Sequence, residues 1–369
     1  MTVNVREDIA LVDQIILSNV EIMHIINIDE LIKQNIIELS TNPATYIMAD
    51  GQMFSKLLIT DDVIDHMIAG AKIQSNQLIK YCILSLSVHR DTGNICCHSI
   101  EEYKQILTYV QEHLLCTYGI EVDIEKVTIK EIEINKTFAL KEPYESYRRV
   151  IQLIMHNLPH ELHVQMHCEE NSKSKVLPGT YYATSSKTNK SSRFTSLKIY
   201  DKTSESSAKL NIILNTSYMR VELRFVGTQR VKRALKTNSL ALVTDDMINV
   251  CYQKYMKRYI YNPCDRWLHK RDQYLLNLIK KQRDTDIRHW QVNLLRYLTN
   301  SEIENAYPTL LDVHELFPLL EKLSITSKRR YEIRTNFKRH VEKYETVYNQ
   351  RDDLKLAEIL EKLGKPTVR

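Results

Sequence analysis

Three short segments decide the fold: Gly-Thr-Tyr-Tyr-Ala-Thr-Ser-Ser-Lys at 179–187, Ser-Leu-Lys-Ile-Tyr-Asp-Lys-Thr at 196–203 and Tyr-Met-Arg-Val-Glu-Leu-Arg-Phe at 218–225. The second and third alternate apolar side chains with tyrosines, acids and bases. Because successive side chains of a strand point to opposite sides, this period predicts strands with one apolar and one polar face. We therefore expect three strands in succession, with a Ser/Lys/Asn turn region between the first two.

The polar positions of these strands suggest chemistry on a phosphodiester. The second strand is expected to present Lys198, Tyr200 and Lys202 together, and neighbouring cations favour a phenolate and neutralise a phosphate under attack. The third has one acid between two bases, which suits a metal ligand, a general base or a plain ion-pair lattice. Its members are Arg220, Glu222 and Arg224, with Tyr218 just before them.

The preceding region predicts a strand, a crossover helix and a second strand. Residues 81–90 alternate as a strand does, and the spacing of Ser99 and Glu102 is that of a capping box at the start of a helix. Gly119 is placed to end that helix, and 127–140 alternates again. Together these segments predict a βαβ unit.

Two strand faces upstream carry candidate metal ligands. Glu131 and Glu133 share one face, and neighbouring carboxylates hold hard divalent ions through oxygen. In 161–168, His163, Gln165 and His167 share a face, and histidines spaced this way can converge on one metal. The alternatives are an ordinary solvated strand face for the glutamates and a polar edge strand for the histidines.

The last third is predicted to be helical. A helix capped near Thr244 should end at the Asn-Pro pair at 262–263. Residues 312–323, 324–327 and 328–340 then read as helix, turn and basic helix, which is the layout of a helix-turn-helix. The alternative is a basic amphipathic helix packed on a bundle. The basic residues are Lys328, Arg329, Arg330, Arg334 and Lys338.

Composition narrows the class of protein. The formal net charge is +5, with Lys and Arg concentrated after about residue 185, which suggests a polyanionic partner. Only seven glycines occur, and no phosphate-binding loop or dinucleotide fingerprint is present, which argues against an ATPase or a Rossmann enzyme. The seven cysteines read as reduced thiols, and no signal peptide or spanning segment is evident, so a cytoplasmic location without membrane contact is expected.

The segments 181–187, 197–202 and 219–225, taken in order, resemble the shared core of rolling-circle replication initiators. The resemblance extends to plasmid replication initiation proteins, nicking relaxases of mobile elements and the filamentous-phage gene II type, and covers about residues 80–230. Ala183-Thr184 replaces the glycine usual in the first motif. Gln165-Met166-His167 approaches, without matching, the two histidines around an apolar residue of the superfamily's better-known branch, the HUH proteins.

The resemblance implies an origin-specific endonuclease and strand transferase that uses Mg²⁺ or Mn²⁺ and forms a 5′-phosphotyrosine. Tyr218 and Tyr200 are then the nucleophile candidates, with Lys202 assisting. The metal candidates are Glu131, Glu133, His163, His167 and Glu222, and the DNA contacts are Lys198, Arg220, Arg224 and the basic helix. Conjugative transfer by a relaxase and non-catalytic DNA binding are the alternatives.

The expected architecture is α+β. A strand and helix region at 1–75 packs on an antiparallel-sheet nicking domain at 76–230, and a helical DNA-binding domain follows at 231–369. Within the first region, 11–26 is expected to be a strand and 29–39 a helix. The implied partners are a double-stranded origin, a single-stranded nick region, a host helicase and polymerase, and, as an option, a second copy of the chain.

Overall fold

The structure is a computed structural model that describes residues 6–39, 45–48, 56–60, 83–86, 97–167, 179–185, 194–343 and 347–365. The fold mixes helices with antiparallel sheet, which confirms the α+β expectation. Within the described residues, no helix is both long and apolar enough to cross a membrane.

Most described strands form one large sheet in which every neighbouring pair is antiparallel. The sheet order is β3-β4-β5-β6-β1-β8-β12-β11-β10-β9, and β2 pairs with β7 separately. The strands are β1 Leu11–Ser18, β2 Glu21–Ile25, β3 Ile37–Leu39, β4 Thr45–Met48, β5 Lys56–Thr60, β6 Ile83–Leu86, β7 Ile120–Asp123, β8 Thr128–Ala139, β9 His163–His167, β10 Thr180–Thr184, β11 Thr195–Asp201 and β12 Tyr218–Val226.

The helices occupy the connections and most of the last third. They are α1 Ile28–Lys33, α2 Ile100–Tyr118, α3 Arg148–His156, α4 Lys202–Leu210, α5 Thr228–Leu235, α6 Asp245–Met256, α7 Asn262–Thr285, α8 Trp290–Asn305, α9 Phe317–Glu321, α10 Ser327–Lys343 and α11 Asp352–Leu363. Short 3₁₀ turns lie at Tyr144–Tyr147, Leu240–Leu242, Val313–Leu316 and Val347–Asn349, and a π-helical turn lies at Lys257–Tyr261.

The predicted βαβ unit is present in a split form. Ser99 accepts from the backbone of Glu102 and the Glu102 side chain accepts from Ser99, which is the expected capping box, and Gly119 ends α2 with φ 66°. However, β6 and β8 do not pair with each other, because β1 lies antiparallel between them. β1, which belongs to the N-terminal region expected to pack on the nicking domain, is therefore an inner strand of the large sheet.

Two N-terminal expectations need correction, and asparagines supply the reason. The single strand expected at 11–26 is two strands in different sheets, because Asn19 turns the chain with φ 63°. The helix expected at 29–39 ends at Lys33, since Asn35 takes a left-handed conformation with φ 56°, and β3 follows. Asparagine adopts this conformation more readily than most residues, so both turns have a local cause.

The three deciding segments form neighbouring strands, as predicted. β10 pairs with β11 and β11 with β12, while β12 pairs on its other side with β8. Leu197, Val221 and Ile134 lie buried on one face, where they belong to the larger core. The other face carries the polar positions, so the alternation in the sequence correctly separates the two faces.

Two hydrophobic cores are present in the described part of the chain. The larger includes the inner face of the sheet, α2, α3, α5, α6 and α11, and the smaller includes the helical residues from Leu275 to Tyr348. The predicted domain boundary at residue 231 falls inside the larger core, because Val231 and the apolar side of α6 pack there. The chain returns to that core through Ile359 and Leu363.

The expected helix break at Asn262-Pro263 is wrong. The chain stays helical from α6 through the π-helical turn into α7, with Pro263 in the first turn of α7. Proline lacks the N–H that would bond four residues back, and a π turn shifts the hydrogen-bond register, so the two features occur together. One continuous helical segment thus runs from the larger core into the smaller one.

Arg149 joins the two cores. Its guanidinium donates to both oxygens of Glu302, at 2.7 and 2.8 Å, and to Asp352 at 2.5 Å. It also donates to the carbonyl of Leu310 at 3.0 Å. Asp352 is fully buried, so Arg149 supplies charge compensation that water cannot.

Arg149→Met should destabilise the protein by about 3–5 kcal/mol, because it leaves Asp352 buried without its guanidinium partner. Urea denaturation followed by circular dichroism measures the loss. Arg148→Met, at the exposed neighbouring position, is the matched control and should change stability by less than about 0.5 kcal/mol. Equal effects of the two substitutions would contradict a specific role for Arg149.

Candidate functional site

The polar face is the side of the large sheet that bears the even-numbered residues of β10, β11 and β12 and the odd-numbered residues of β8. Register brings Tyr182 opposite Lys198, Lys198 opposite Glu222, and Glu222 opposite Asn135. Arg224 lies opposite Glu133. Residues opposite each other on antiparallel strands lie about 5 Å apart, so side chains from four strands converge here.

Tyr200 is enclosed at the centre of this face. Its hydroxyl donates to Glu222 Oε1 at 2.5 Å, and Lys198 Nζ lies 3.9 Å from the centroid of its ring. Burial, followed by the charge of Glu222, raises the pKa of Tyr200 well above its ordinary value. Tyr200 is therefore a neutral hydrogen-bond donor with only 4% of its surface exposed.

Arg220 lies beneath this cluster and is almost completely buried. Its Nε donates to Thr137 Oγ1 at 2.7 Å, and its Nη1 lies 3.3 Å from Asp13 Oδ1 and 3.8 Å from Glu222 Oε1. With 1% of its surface exposed, Arg220 cannot meet a phosphate in this arrangement. It instead positions Glu222, which also accepts from Tyr200 and lies 3.4 Å from Lys198.

Arg224 is the more accessible arginine of β12. Its guanidinium pairs with Glu131, and its Nε lies 3.2 Å from Glu133 Oε1, while 39% of the side chain is exposed. Burial lowers the pKa of Arg224, but Glu133, Glu131 and Tyr182 outweigh burial and raise it. Arg224 thus stays positively charged at the surface of the polar face, which it shares with Tyr182.

Glu133 carries the titratable proton of the face. Burial, and then the charges of Glu222 and Asp13, raise its pKa from the ordinary 4.5 to about 8. Asp13, Glu131, Glu133 and Glu222 face three cations, Lys198, Arg220 and Arg224. Burial, which penalises the charged carboxylate, and the neighbouring carboxylates together keep a proton on Glu133 at neutral pH.

Tyr182 is a functional candidate that was not selected from the sequence. It is half-buried on the polar face, between Gln165 of β9 and Lys198 of β11, whereas Tyr181 is buried in the apolar core on the other side. The signal was present in the sequence: the alternation that places Lys198 and Tyr200 on one face also separates the two adjacent tyrosines. Only the strand pairing reveals that Tyr182 faces Lys198.

The other catalytic candidates lie at the edge of this cluster. Lys202 is not on the strand, because Asp201 accepts from the backbone of Thr203 and Ser204 and starts α4 there. Lys202 is buried and pairs with Glu205 at 2.5 Å. Tyr218 begins β12 on the polar face, four residues or about 14 Å along the strand from Glu222.

The predicted metal ligands fall into two separate groups. Glu131, Glu133 and Glu222 lie on neighbouring strands, where each already binds cationic or hydroxyl partners. His163 and His167 are on β9, three strand spacings or about 14 Å from β12. Among the residues that the structure describes, no group of three or more His, Cys, Asp or Glu is arranged to hold a metal ion. The carboxylate and histidine candidates, which the sequence offers as alternatives, are therefore not brought together in one site.

The basic helix α10 is exposed on one side and buried on the other. Ile333, Phe337 and Val341 pack in the smaller core. Arg330 and Arg334 both pair with Glu321 of α9, and Arg329 pairs with Glu332. Three of the predicted DNA-contacting residues, Arg329, Arg330 and Arg334, are thus already in ion pairs. The other two, Lys328 and Lys338, are exposed.

Comparison with known proteins identifies no family. No protein-family model matches the chain, and no curated protein matches it. Among solved structures, the rolling circle replication initiator protein from Geobacillus stearothermophilus is similar with a TM-score of 0.30 and 8% sequence identity, over 68% of this chain and 85% of that one. This likeness does not establish a shared fold, so the function proposed below rests on the polar face itself.

Glu133 should make stability depend on pH. Because its pKa is about 8 in the folded protein and near 4.5 when exposed, its contribution is complete below pH 4.5 and is lost as pH rises through 8. Glu133→Gln keeps the neutral form, so its melting temperature relative to the wild type should rise between pH 4.5 and 8 and level off above. Differential scanning calorimetry across this range measures the difference.

The control for this measurement removes an equivalent charge elsewhere. Glu125→Gln changes an exposed carboxylate in the turn before β8 and reports the effect of net charge alone. A melting-temperature difference for Glu133→Gln that stays constant from pH 5 to 9 would contradict a raised pKa at Glu133.

Proposed function

We propose that this chain is a DNA nickase and strand transferase that initiates rolling-circle replication of a plasmid, phage or other mobile element. One observation carries the proposal: Tyr182, a partly exposed tyrosine, lies opposite Lys198 on a sheet face that also bears the cation Arg224 two strands away. A nucleophile on a face that carries cations suits attack on a phosphodiester, because the cations stabilise the negative charge of the phosphate under attack.

In the proposed reaction, the Tyr182 oxygen attacks the phosphorus of one phosphodiester. A phosphorus–oxygen bond forms to the tyrosine, and the bond between phosphorus and the 3′ oxygen breaks. The phenol releases its proton to solvent, and the departing 3′ oxygen gains one from a proton donor, so a 5′-phosphotyrosine and a 3′-hydroxyl result. The phosphotyrosine retains the bond energy, so a later 3′-hydroxyl can attack it and rejoin the strand without ATP.

Tyr182 suits this role better than the two tyrosines selected from sequence. Tyr200 has 4% of its surface exposed and its hydroxyl is bound to Glu222, so a phosphorus atom cannot approach its oxygen. Tyr218 lies on the same face but far along β12 from Lys198. We assign Tyr200 to positioning, because it fixes Glu222, which in turn lies against Lys198.

Glu133 can carry the proton that the reaction moves. With a pKa of about 8 it holds a proton at neutral pH, and it lies 3.2 Å from Arg224, one of the proposed phosphate-binding cations. Proton donors act best when their pKa is near the working pH. Glu133 is on β8, three strand spacings or about 14 Å from Tyr182 on β10, so it would act on the leaving-group side of the bound phosphate. There it would protonate the departing 3′ oxygen in nicking and take the proton back in rejoining.

A requirement for Mg²⁺ or Mn²⁺ stays part of the proposal, without a step assigned to the ion. Glu131 and Glu222 offer carboxylate oxygens of suitable chemistry on the polar face, whereas Glu133 is assigned to proton transfer. Chelation of divalent ions by EDTA tests the requirement directly, in the same assay that detects nicking.

The second candidate function is DNA binding without cleavage. It is favoured by the ion pairs that already engage both accessible cations: Lys198 with Glu222, and Arg224 with Glu131 and Glu133. Such a lattice is also what a purely structural face would contain. Conjugative nicking by a relaxase would use the same chemistry as the first proposal and differs in the element that carries the gene.

Origin recognition is assigned to α10 of the smaller core. Its exposed side presents Lys328 and Tyr331 one turn apart and Lys338 two turns further along, and Tyr331 is 72% exposed. An exposed helix with this composition suits the major groove of duplex DNA. Host helicase and polymerase, and a second copy of the chain, remain proposed partners.

The identity of the nucleophile can be tested by covalent trapping. A single-stranded oligonucleotide containing the origin nick site should yield a phosphotyrosine adduct that peptide mass spectrometry locates at Tyr182. Tyr182→Phe should lower nicking of supercoiled plasmid by about 10³-fold or more, because no oxygen remains to attack. Tyr181→Phe, at the adjacent buried position, is the matched control and should retain activity.

Each result of the trapping experiment separates the candidates. An adduct on Tyr218 or Tyr200 would refute the assignment of Tyr182 while leaving the nickase. A plasmid carrying its own origin that stays closed with Mg²⁺ or Mn²⁺, with no adduct formed, would refute the nickase and favour the binding protein.

The duplex-binding role of α10 predicts a specific salt dependence. Lys328→Gln should weaken binding to origin duplex and reduce the slope of log K against log salt by about 0.9, since one phosphate contact is lost. Lys126→Gln removes the same charge from an exposed turn of the sheet unit and should leave the slope unchanged. Fluorescence anisotropy over a salt series measures both, and equal slopes for all three proteins would contradict the role of α10.

A further inference from the structure

A cavity of about 590 Å³ opens where α7 and α8 leave the sheet unit. One wall comes from α7, with Trp267 and Tyr274, and the other from α8 and the segment after it, with Tyr297 and Tyr307. The Tyr307 ring stacks on His156 at the end of α3, with 3.4 Å between ring centroids. The cavity thus lies at the joint between the two cores.

The aromatic walls are unusually accessible for side chains of this size. Tyr274 is 44% exposed and Tyr297 is 45% exposed, although residues next to them on both helices, Leu275 and Leu298, are buried. Their hydroxyls lie 3.4 Å apart. Burial, and then the contact with Tyr297, raise the pKa of Tyr274 to about 12, so its ring stays uncharged.

The remaining lining is polar and able to read a flat, hydrogen-bonding ligand. Asn300 and Asn305 offer both donors and acceptors, and Glu304 accepts hydrogen bonds. Lys270 is exposed at the mouth and supplies a cation. Arginines already pair with the carboxylates just outside the lining: Arg271 with Asp272 and Glu315, and Arg149 with Glu302.

We propose that this cavity binds one unstacked nucleotide of single-stranded DNA, with its base against Tyr274 and Tyr297 and its phosphate at Lys270. This proposal rests on the proposed function, because a nickase leaves a single strand that must be held. Aromatic faces combined with a cation are the general means of binding single strands. Amides and a carboxylate in the same cavity can meet the edge of a base.

A peptide is a poorer occupant of this cavity. An extended peptide gains its affinity from open backbone groups at a sheet edge, and the two main walls here are helices, whose N–H and C=O groups bond internally. A helical peptide needs an apolar groove, whereas this lining includes amides, hydroxyls and charges. The lining chemistry therefore favours a nucleotide.

Binding can be measured on the full chain without cleavage. Fluorescein-labelled dT20 is titrated with protein in EDTA, and anisotropy reports the dissociation constant. Tyr274→Ala/Tyr297→Ala should weaken binding by about tenfold or more, because stacking of one base is lost. Tyr274→Phe/Tyr297→Phe keeps both rings and should stay within roughly twofold of the wild type. Tyr109→Ala, an exposed tyrosine of α2, controls for aromatic removal elsewhere.

Tryptophan fluorescence locates the bound strand. The chain has two tryptophans, and Trp290 is buried in the smaller core, so Trp290→Phe leaves Trp267 as the reporter at the cavity. Addition of dT20 should quench this emission, and Tyr274→Ala/Tyr297→Ala in the same background should abolish the quenching.

Three outcomes would overturn the proposal: alanine variants that bind dT20 as tightly as the wild type, emission of Trp267 that dT20 does not change, or dTMP that quenches as strongly as dT20 at equal concentration. The last would assign the cavity to a free nucleotide. Because EDTA prevents metal-dependent nicking, binding can succeed in a protein that never nicks and fail in one that does. The two proposals are therefore tested separately.

Discussion

A charged side chain at the centre of the sheet sets the conditions for everything around it. Arg220 is buried to 99% and cannot be hydrated, so its charge must be met by protein groups. Thr137, Asp13 and Glu222 meet it from three different strands. Burial lowers the pKa of Arg220, but neighbouring anions, among them Asp13 and Glu222, outweigh burial and raise it, so the guanidinium stays charged. Burial, and then the charges of Glu222 and Asp13 that compensate Arg220, raise the pKa of Glu133 and leave it protonated at neutral pH.

This arrangement divides the polar face into an enclosed layer and a solvent-accessible layer. Arg220, Tyr200 and Glu222 are enclosed and bound to one another, so they have little freedom to move. Lys198, Arg224 and Tyr182 lie above them and reach solvent. A site built this way holds its reactive groups in place by packing, and the enclosed layer positions the groups that would contact DNA. Tyr200, the tyrosine in the strongest sequence motif, therefore belongs to the enclosed layer.

Much of the sheet could be predicted because alternation is a local property. The strands of the deciding segments, the capped helix α2 and the two faces of β8 and β12 all follow from it. Pairing is not local, so nothing in the sequence placed β1 between β6 and β8 or Tyr182 against Lys198. Single side chains also changed the local outcome: Asp201 caps a helix that removes Lys202 from its strand, and a π turn carries the chain past Pro263. The role of Arg149 depends on partners about 150 to 200 residues away and has no local signal.

The continuous helical segment that passes through Pro263 connects the larger core directly to the smaller one. α7 has 24 residues, about 36 Å of rod, and it begins in the larger core and ends in the smaller. Tyr252 lies in α6, which continues through the π turn into α7. Its hydroxyl donates to the carbonyl of Val221, next to Glu222, and so holds this helical segment against β12. If a flexible loop joined the two cores, the distance between them could vary. Here α7 fixes the distance between the two cores, and under the proposed function this distance would set the spacing between the duplex bound by α10 and the phosphate at the polar face.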